Sequence, residues 1–374
     1  MPNALLDVAK LFLKLGFTAF GGPAAHIAMM QDEVVNKRKW LNEQEFLDLI
    51  GATNLIPGPN STEMAIHIGK KRAGWPGLMI AGLCFIIPAV MITYIFAWMY
   101  KLYGHLPEMQ PYIYGIKPAI IAIILSAVYP LAKRSLKSIS LVIIGLLVLI
   151  ASLSGIYEIY LMFGAGFFAV IFSDFVPGST DRFHTKIVLP ILQIPGSLMM
   201  TISNMKLFWT FIKIGSILYG SGYVLFAFLD TELVSTGLLS RQTLIDAIAV
   251  GQFTPGPVFS SVTFIGYQMN GWSGAMVATI GIFLPAFVFV ALLDPLLKKM
   301  RSSVRLSIFL DAVNVASVAI ILSVCLSMGQ EIMTDWRTLM IALISFFFTF
   351  GYRKINSAWV VLGGSILGYL LMLV

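Results

Sequence analysis

The tripeptide Pro57-Gly58-Pro59 recurs as Pro255-Gly256-Pro257, 198 residues further on, each time inside a strongly apolar stretch. Proline removes a backbone donor and clashes with the preceding turn, so a helix must break at both places. The neighbours keep the register. Phe12, Lys14, Gly16 and Gly21 match Phe211, Lys213, Gly215 and Gly220, and Gln44 and Asp48 match Gln242 and Asp246. Gly69, Gly74, Trp75 and Gly77 match Gly266, Gly271, Trp272 and Gly274, and Pro88-Ala89 matches Pro285-Ala286. An offset that stays within 197–199 reads as two structural repeats.

Composition decides the solvent in which these repeats fold. Hydrophobic residues make up 58% and charged residues 11% of the 374, with a mean hydropathy of +0.87. A soluble chain of this size leaves about a quarter of its unfolded surface in water, and there are too few polar residues here to cover it. A soluble enzyme and a disordered chain are both excluded. The apolar runs are continuous, which argues for helices and against the alternating strands of a barrel. The expected fold class is therefore an all-α polytopic membrane protein. The net charge of +7 fits basic loops held in the cytoplasm, with no need of nucleic acid. Cys84 and Cys325 stand singly in apolar runs, so neither a disulfide framework nor a metal site is expected, and no cofactor. There is no P-loop pattern, which leaves an ion gradient, the membrane potential or the substrate's own gradient as the energy source. The first residues do not read as a cleaved signal peptide.

Each half divides into six apolar segments, near 5–29, 45–68, 76–100, 112–132, 138–153 and 157–173, and again near 206–229, 243–267, 273–297, 308–329, 337–350 and 356–374. The expected domains are an N-terminal repeat over 1–173, a cytoplasmic linker over 174–204 and a C-terminal repeat over 205–374. Lys37-Arg38-Lys39 and Lys70-Lys71-Arg72 flank the first broken segment. If that segment is re-entrant, both clusters lie in the cytoplasm. Lys133, Arg134, Lys137, Lys298, Lys299, Arg301, Arg305, Arg353 and Lys354 then lie there too. Five spans plus one re-entrant element per half is an odd count, so the halves would be inverted, as in many secondary transporters. Irregular backbone at membrane depth survives only against protein or a polar cavity. The two breaks are therefore expected to meet near the midplane, where such transporters bind substrate.

The residues after the first break carry the chemistry. Asn60 reads as an N-cap with Glu63 three residues later as its capping-box partner. The free amides of such a helix start, with Gly58, Asn60, Ser61 and Thr62, would hold an anion; the bland alternative is that they only cap a helix. The second half offers Gly256 and then Val258-Phe259-Ser260-Ser261, a less polar counterpart. Glu63, His67 and Lys71 share one helical face and could relay a proton, or could be a cap and an interfacial histidine. Gly21-Gly22-Pro23 kinks the first segment beside His26, for close packing or for substrate. Lys14 and Lys213 either snorkel or attract an anion, and Arg38 with its neighbours either sets topology or funnels anions inward. Asp48 and Asp246 are intramembrane carboxylates and proton-relay candidates by default. Lys117, Asp311 and Asn314 are weaker candidates for lining a cavity.

These motifs resemble the chromate ion transporter family in its two-domain form. The residues that carry the resemblance are Thr18-Ala19-Phe20-Gly21-Gly22-Pro23-Ala24-Ala25-His26-Ile27, Trp40-Leu41, and Leu55 to Glu63 through Gly69. In the second half they are Lys213-Ile214-Gly215, Gly220-Ser221-Gly222-Tyr223, and Gly251 to Phe259. The resemblance implies an inner-membrane protein that exports chromate, a tetrahedral dianion shaped like sulfate, and so confers chromate resistance. It implies a role for Gly21, Gly22, Pro23, His26, Pro57 to Thr62, Glu63, His67 and Gly69. The partners expected are chromate or a sulfate-like dianion and the lipid bilayer, with no nucleic acid; a homodimer is allowed. Moving one charge through 100 mV is worth about 2.3 kcal/mol, so a dianion leaving a negative interior gains roughly 4.6 kcal/mol per 100 mV. Export driven by the potential or by anion exchange is thus downhill without protons. Sulfate or another oxyanion as cargo and an anion channel are the alternatives. An enzyme is not expected, because no nucleophile–base pair or metal ligand set stands in the chain.

Overall fold

The computed structural model describes residues 2–20, 22–104, 106–173, 203–219, 222–301, 303–352 and 356–373. Gly21, Gly220, Ser221, Arg353, Lys354 and nearly all of the 174–204 linker lie outside the described residues. Among the described residues every regular element is helical. The first half contains α1 (Pro2–Thr18), α2 (Gly22–Gln31), α3 (Glu43–Thr53), α4 (Asn60–Tyr103), α5 (Gln110–Ser135), α6 (Ile139–Leu153) and α7 (Glu158–Ser173). The second contains α8 (Asn204–Ile217), α9 (Val224–Leu229), α10 (Arg241–Phe253), α11 (Ser261–Arg301), α12 (Val304–Ile332), α13 (Trp336–Gly351) and α14 (Ser357–Met372). A π-helical turn follows α2 over Asp32–Lys37 and α9 over Asp230–Val234.

Side chains that cap freed amides set several helix starts. Asn42 and Glu45 form a reciprocal capping box at α3, and Ser138, Ser203, Ser240 and Ser303 each accept from the first turn of the helix that follows. The expected box at Asn60 does not form. Pro59 occupies the N-cap position, Asn60 is already helical, and its amide instead donates to Asn54 Oδ1 at 3.0 Å.

Segment 5–29 is not one span. The Lys14 ammonium donates to Glu33 Oε1 at 2.8 Å. In a continuous helix nineteen residues would separate them by roughly 28 Å, so α2 and its π-turn fold back along α1. Gly22, at φ +79°, and Pro23, without an N–H, make that reversal possible. Segment 206–229 breaks in the same place, and Lys213 reaches Glu232 at 2.5 Å. A second fold-back lies within α4 at Ala73-Gly74 and within α11 at Asn270-Gly271, where the glycines take φ +65° and +61°. The arms approach very closely there. A Cβ on Gly69 would lie 2.3 Å from the Gly77 carbonyl oxygen, and one on Gly266 2.3 Å from that of Gly274. Each half therefore holds two fold-backs, α1–α2 and α3 with the first arm of α4, or their counterparts.

Among the described residues, four helical stretches are long and apolar enough to cross a membrane: Asn60–Tyr103, Pro107–Ser135, Val258–Leu292 and Val304–Ile332. On α4, Met79, Leu83, Ile87, Met91 and Ile95 form an exposed stripe, and Met276, Ile280, Leu284, Val288 and Leu292 repeat it on α11. Such stripes face lipid. The chain is a multi-pass membrane protein.

The long arms of α4 and α11 pack antiparallel. Gly82 of one meets the Phe287 ring of the other, while Gln268, on the first arm of α11, donates to the Ala97 carbonyl at 2.9 Å near one end, and Lys70, on the first arm of α4, donates to the Val290 carbonyl at 3.4 Å near the other. Helices α5 and α12 are also antiparallel, tied by Lys137–Asp311 at 2.7 Å and, beyond the far end of α12, by Tyr114–Asp335 at 2.5 Å. The terminal hairpins are exchanged. Helices α6 and α7 pack on α12, and α13 and α14 on α5. Phe309 is clasped by Phe163 and Phe167, and Gly115 abuts the backbone of Gly364 and Gly368. Helix α7 packs beside the start of α12, and Asn204 at the start of α8 accepts from Asn270 at 2.8 Å.

Candidate functional site

Each Pro-Gly-Pro break is hydrogen-bonded to the other half of the chain. The Gly58 N–H donates to the Leu218 carbonyl at 2.8 Å, and the Gly256 N–H donates to the Ala19 carbonyl at 2.8 Å. Each break of the second fold-back therefore closes on the break of the other half's first fold-back. Both glycines need their conformational freedom, at φ +139° and +85°. His26 Nε2 also bonds the Ala19 carbonyl, at 3.1 Å, which leaves Nδ1 buried without a partner.

A cavity of about 1050 Å³ reaches this junction from one face, between α3, α5 and α12. Its mouth carries Lys133, Arg134 and Lys137, with Asp311 paired to Lys137. Its depth carries Asn54, Asn60, Tyr223, Asn314 and Ser317, and Pro23 at the start of α2. Cations at the mouth raise the local concentration of anions. Neutral amide and hydroxyl donors further in can coordinate oxyanion oxygens without holding them as tightly as a fixed charge would.

The predicted residues divide into those on this cavity and those behind it. Pro23 and Asn60 line it, and Gly22, whose Cα faces the Tyr223 hydroxyl, borders it. Asp311 and Asn314 line it too. Ser61, Thr62, Glu63 and His67 are buried behind it, at 2%, 0%, 0% and 2% exposure. The Glu63 carboxylate presses on Gly58: a Cβ there would lie 2.3 Å from Oε1, and neither carboxylate oxygen has a partner. Lys71 is on Glu45 at 3.0 Å, outside any file with Glu63 and His67. Lys14 and Arg38 both bind Glu33, and Lys213 binds Glu232, which also accepts from Tyr157. Asp48 is exposed beside Gln44, whereas Asp246 is buried and bonded to Tyr100 and Gln242. Sequence reasoning missed Asn54 altogether and named Tyr223 only within a family motif, with no role at the site. It took Lys133, Arg134 and Lys137 as topological signals only. The six-residue spacing of Asn54 and Asn60 across the break was the one signal available.

The family described as chromate transporter matches residues 6–170 and, separately, 205–369. A probable chromate transport protein of Synechococcus elongatus is 30% identical over 354 residues, covering 91% of this chain and 89% of its own. The chromate transport protein of Cupriavidus metallidurans is 29% identical over 373 residues, covering 97% and 92%. The uncharacterized transporter YwrA of Bacillus subtilis is 25% identical over 158 residues, which is 41% of this chain but 89% of its own. No solved structure matches.

Proposed function

This chain belongs to the chromate transporter family, whose members are transporters and not enzymes, and on that premise we propose that it exports chromate across the plasma membrane. The observation that carries the proposal is the basic-mouthed cavity ending at the cross-bonded breaks. By the distribution of Lys and Arg its mouth faces the cytoplasm. Counterparts of the mouth residues, at an offset of 197, are Gln330, Glu331 and Thr334, so the basic cluster at the mouth is not repeated there.

The transport unit is the pair of repeats 1–173 and 205–374, inverted about the midplane. The antiparallel pairing of α4 with α11 and of α5 with α12 supports this reading. Substrate sits near Gly22, Pro23, Asn54 and Asn60, with His26 and the Gly58 and Gly256 loops shaping the floor. The membrane potential or counter-exchange of another anion drives efflux, and alternating access moves the site between faces. Sulfate is a second reading with its own support, since amide and hydroxyl donors do not distinguish one tetrahedral dianion from another.

The test is accumulation of radiolabelled chromate in everted membrane vesicles with an imposed potential, with and without excess sulfate. Uptake that follows the potential is the expected result. Competition by sulfate would mark a general dianion site, and absence of chromate flux at every potential would overturn the proposal.

A further inference from the structure

The open cavity has a closed counterpart. Positions related by 198 residues lie in opposite environments on α3 and α10. Leu47 is 50% exposed and Ile245 3%; Asp48 is exposed and Asp246 5%; Asn54 is exposed on the cavity and Gln252 5%. Helix α3 faces α12 across the open cavity, whereas α10 is packed on α5 and α14. Under the repeat, α3 and α12 correspond to α10 and α5. The same joint is thus open in one half and shut in the other.

The shut joint is polar inside. Tyr100 donates to Asp246 Oδ2 at 2.6 Å, and Gln242 Nε2 donates to the same carboxylate at 3.0 Å. Half-buried Lys117 lies within electrostatic reach of Asp246. An offset of 197 relates Lys117 to Asn314, which lines the open cavity. Phe253 closes edge-on against Phe96, with ring centroids 5.5 Å apart. A purely structural joint in lipid would be filled with apolar side chains, since a buried carboxylate is costly unless it is bonded.

We propose that the seam α10 makes with α5 and with the far end of α4 is the outward door of the transport path, shut in this structure, with the hydrogen bond from Tyr100 of α4 to Asp246 of α10 as its latch and Lys117 of α5 as the cation that meets the anion once it opens. The proposal rests on the alternating-access reading above, and it names the residues that hold the second state closed. A hydrogen bond to a carboxylate is among the stronger ones. Losing the hydroxyl shifts the balance between the two states toward outward-open by roughly tenfold.

The experiment uses the full chain with Cys84→Ser and Cys325→Ser, carrying either Gln252→Cys or Asn54→Cys, in oriented membrane vesicles. A membrane-impermeant thiol reagent is added from each face in turn. Adding Tyr100→Phe should raise labelling at position 252 from the outer face about tenfold, and lower labelling at 54 from the cytoplasmic face. Unchanged rates at both positions, or faster labelling at both, would overturn the latch. Asp246→Asn removes the charged acceptor instead of the donor and must act in the same direction, which guards against a Tyr100→Phe chain that fails to assemble. The readout needs no substrate. It can therefore succeed where chromate transport fails, and a failed latch would leave a positive chromate flux standing.

Discussion

Replacing Gly58 by alanine tests the junction of the breaks directly. The backbone at Gly58 sits at φ +139°, which L residues rarely adopt. That strain costs about 1–3 kcal/mol. The added methyl would also lie 2.3 Å from the Glu63 carboxylate, whose residue is completely buried, so the oxygen has no open space to retreat into. Overpacking of this kind adds about 1–3 kcal/mol. The total is on the order of 2–6 kcal/mol, enough to matter against the usual margin of stability. Gly74→Ala is the control: its φ is +65°, but nothing lies within 4 Å of a Cβ there, so it should show the strain without the collision. The assay is the temperature of half-inactivation in detergent for Gly58→Ala, Gly74→Ala, Glu63→Ala and the Gly58→Ala/Glu63→Ala double variant. Glu63→Ala should restore the steric part of the Gly58→Ala loss, a coupling of about 1–3 kcal/mol in the double-mutant cycle. If Gly58→Ala is no less stable than Gly74→Ala, or if the cycle shows no coupling, the contact between break and carboxylate is wrong.

Neutralising the mouth with Lys133→Gln, Arg134→Gln and Lys137→Gln together should raise the KM for chromate several-fold at low salt and leave kcat near wild type, with the difference shrinking as salt screens the field; equal KM values would remove the funnel. Asn54→Leu should weaken chromate binding by roughly tenfold, the worth of a hydrogen bond to a charged ligand, in a direct binding assay. Gly69→Ala and Gly266→Ala should each cost far more stability than Gly74→Ala, because their methyls would meet backbone oxygens at 2.3 Å; a thermal-shift series ranks them. Glu45, partly exposed at the start of α3, is held below the usual carboxylate range first by the Asn42 N–H and then by Lys71. Its stabilising effect is therefore present above the ordinary carboxylate pKa of about 4.3 and lost as pH falls through its lowered value. Acid should loosen the start of α3, seen as faster amide exchange there, and Glu45→Gln should abolish that dependence.

Much of this architecture was legible in the sequence, because proline and glycine act locally. The Pro-Gly-Pro breaks follow from backbone constraints that no neighbour can override, whereas Gly74 and Gly271 were noted only as matched positions and not as the turns they make. The reversal at Gly22-Pro23 was read only as a break or kink, not as a full turn back. Only the ion pairs Lys14–Glu33 and Lys213–Glu232 show that the chain turns fully back. The lysines attracted notice as uncompensated charges, and their partners on the π-turns were too distant in sequence to suggest themselves. The capping box failed because Pro59 had already taken the extended cap geometry. The cavity was not legible. It lies between α3 and α12, whose residues are more than 250 positions apart, and helices that are apolar on every side do not record which neighbour they touch.

The exchange of terminal hairpins sets the order in which the molecule can be made. When α6 and α7 leave the ribosome their seat, α12, has not been synthesised. They must wait in the bilayer for the rest of the chain through Ile332, on the order of ten to thirty seconds at ordinary elongation rates. Helix α5 waits longer still, for α13 and α14. The first repeat therefore matures last among its own parts, completed by the tail of the second, and a nascent chain stalled before α12 would present an unseated pair of helices to whatever surveys membrane proteins for quality.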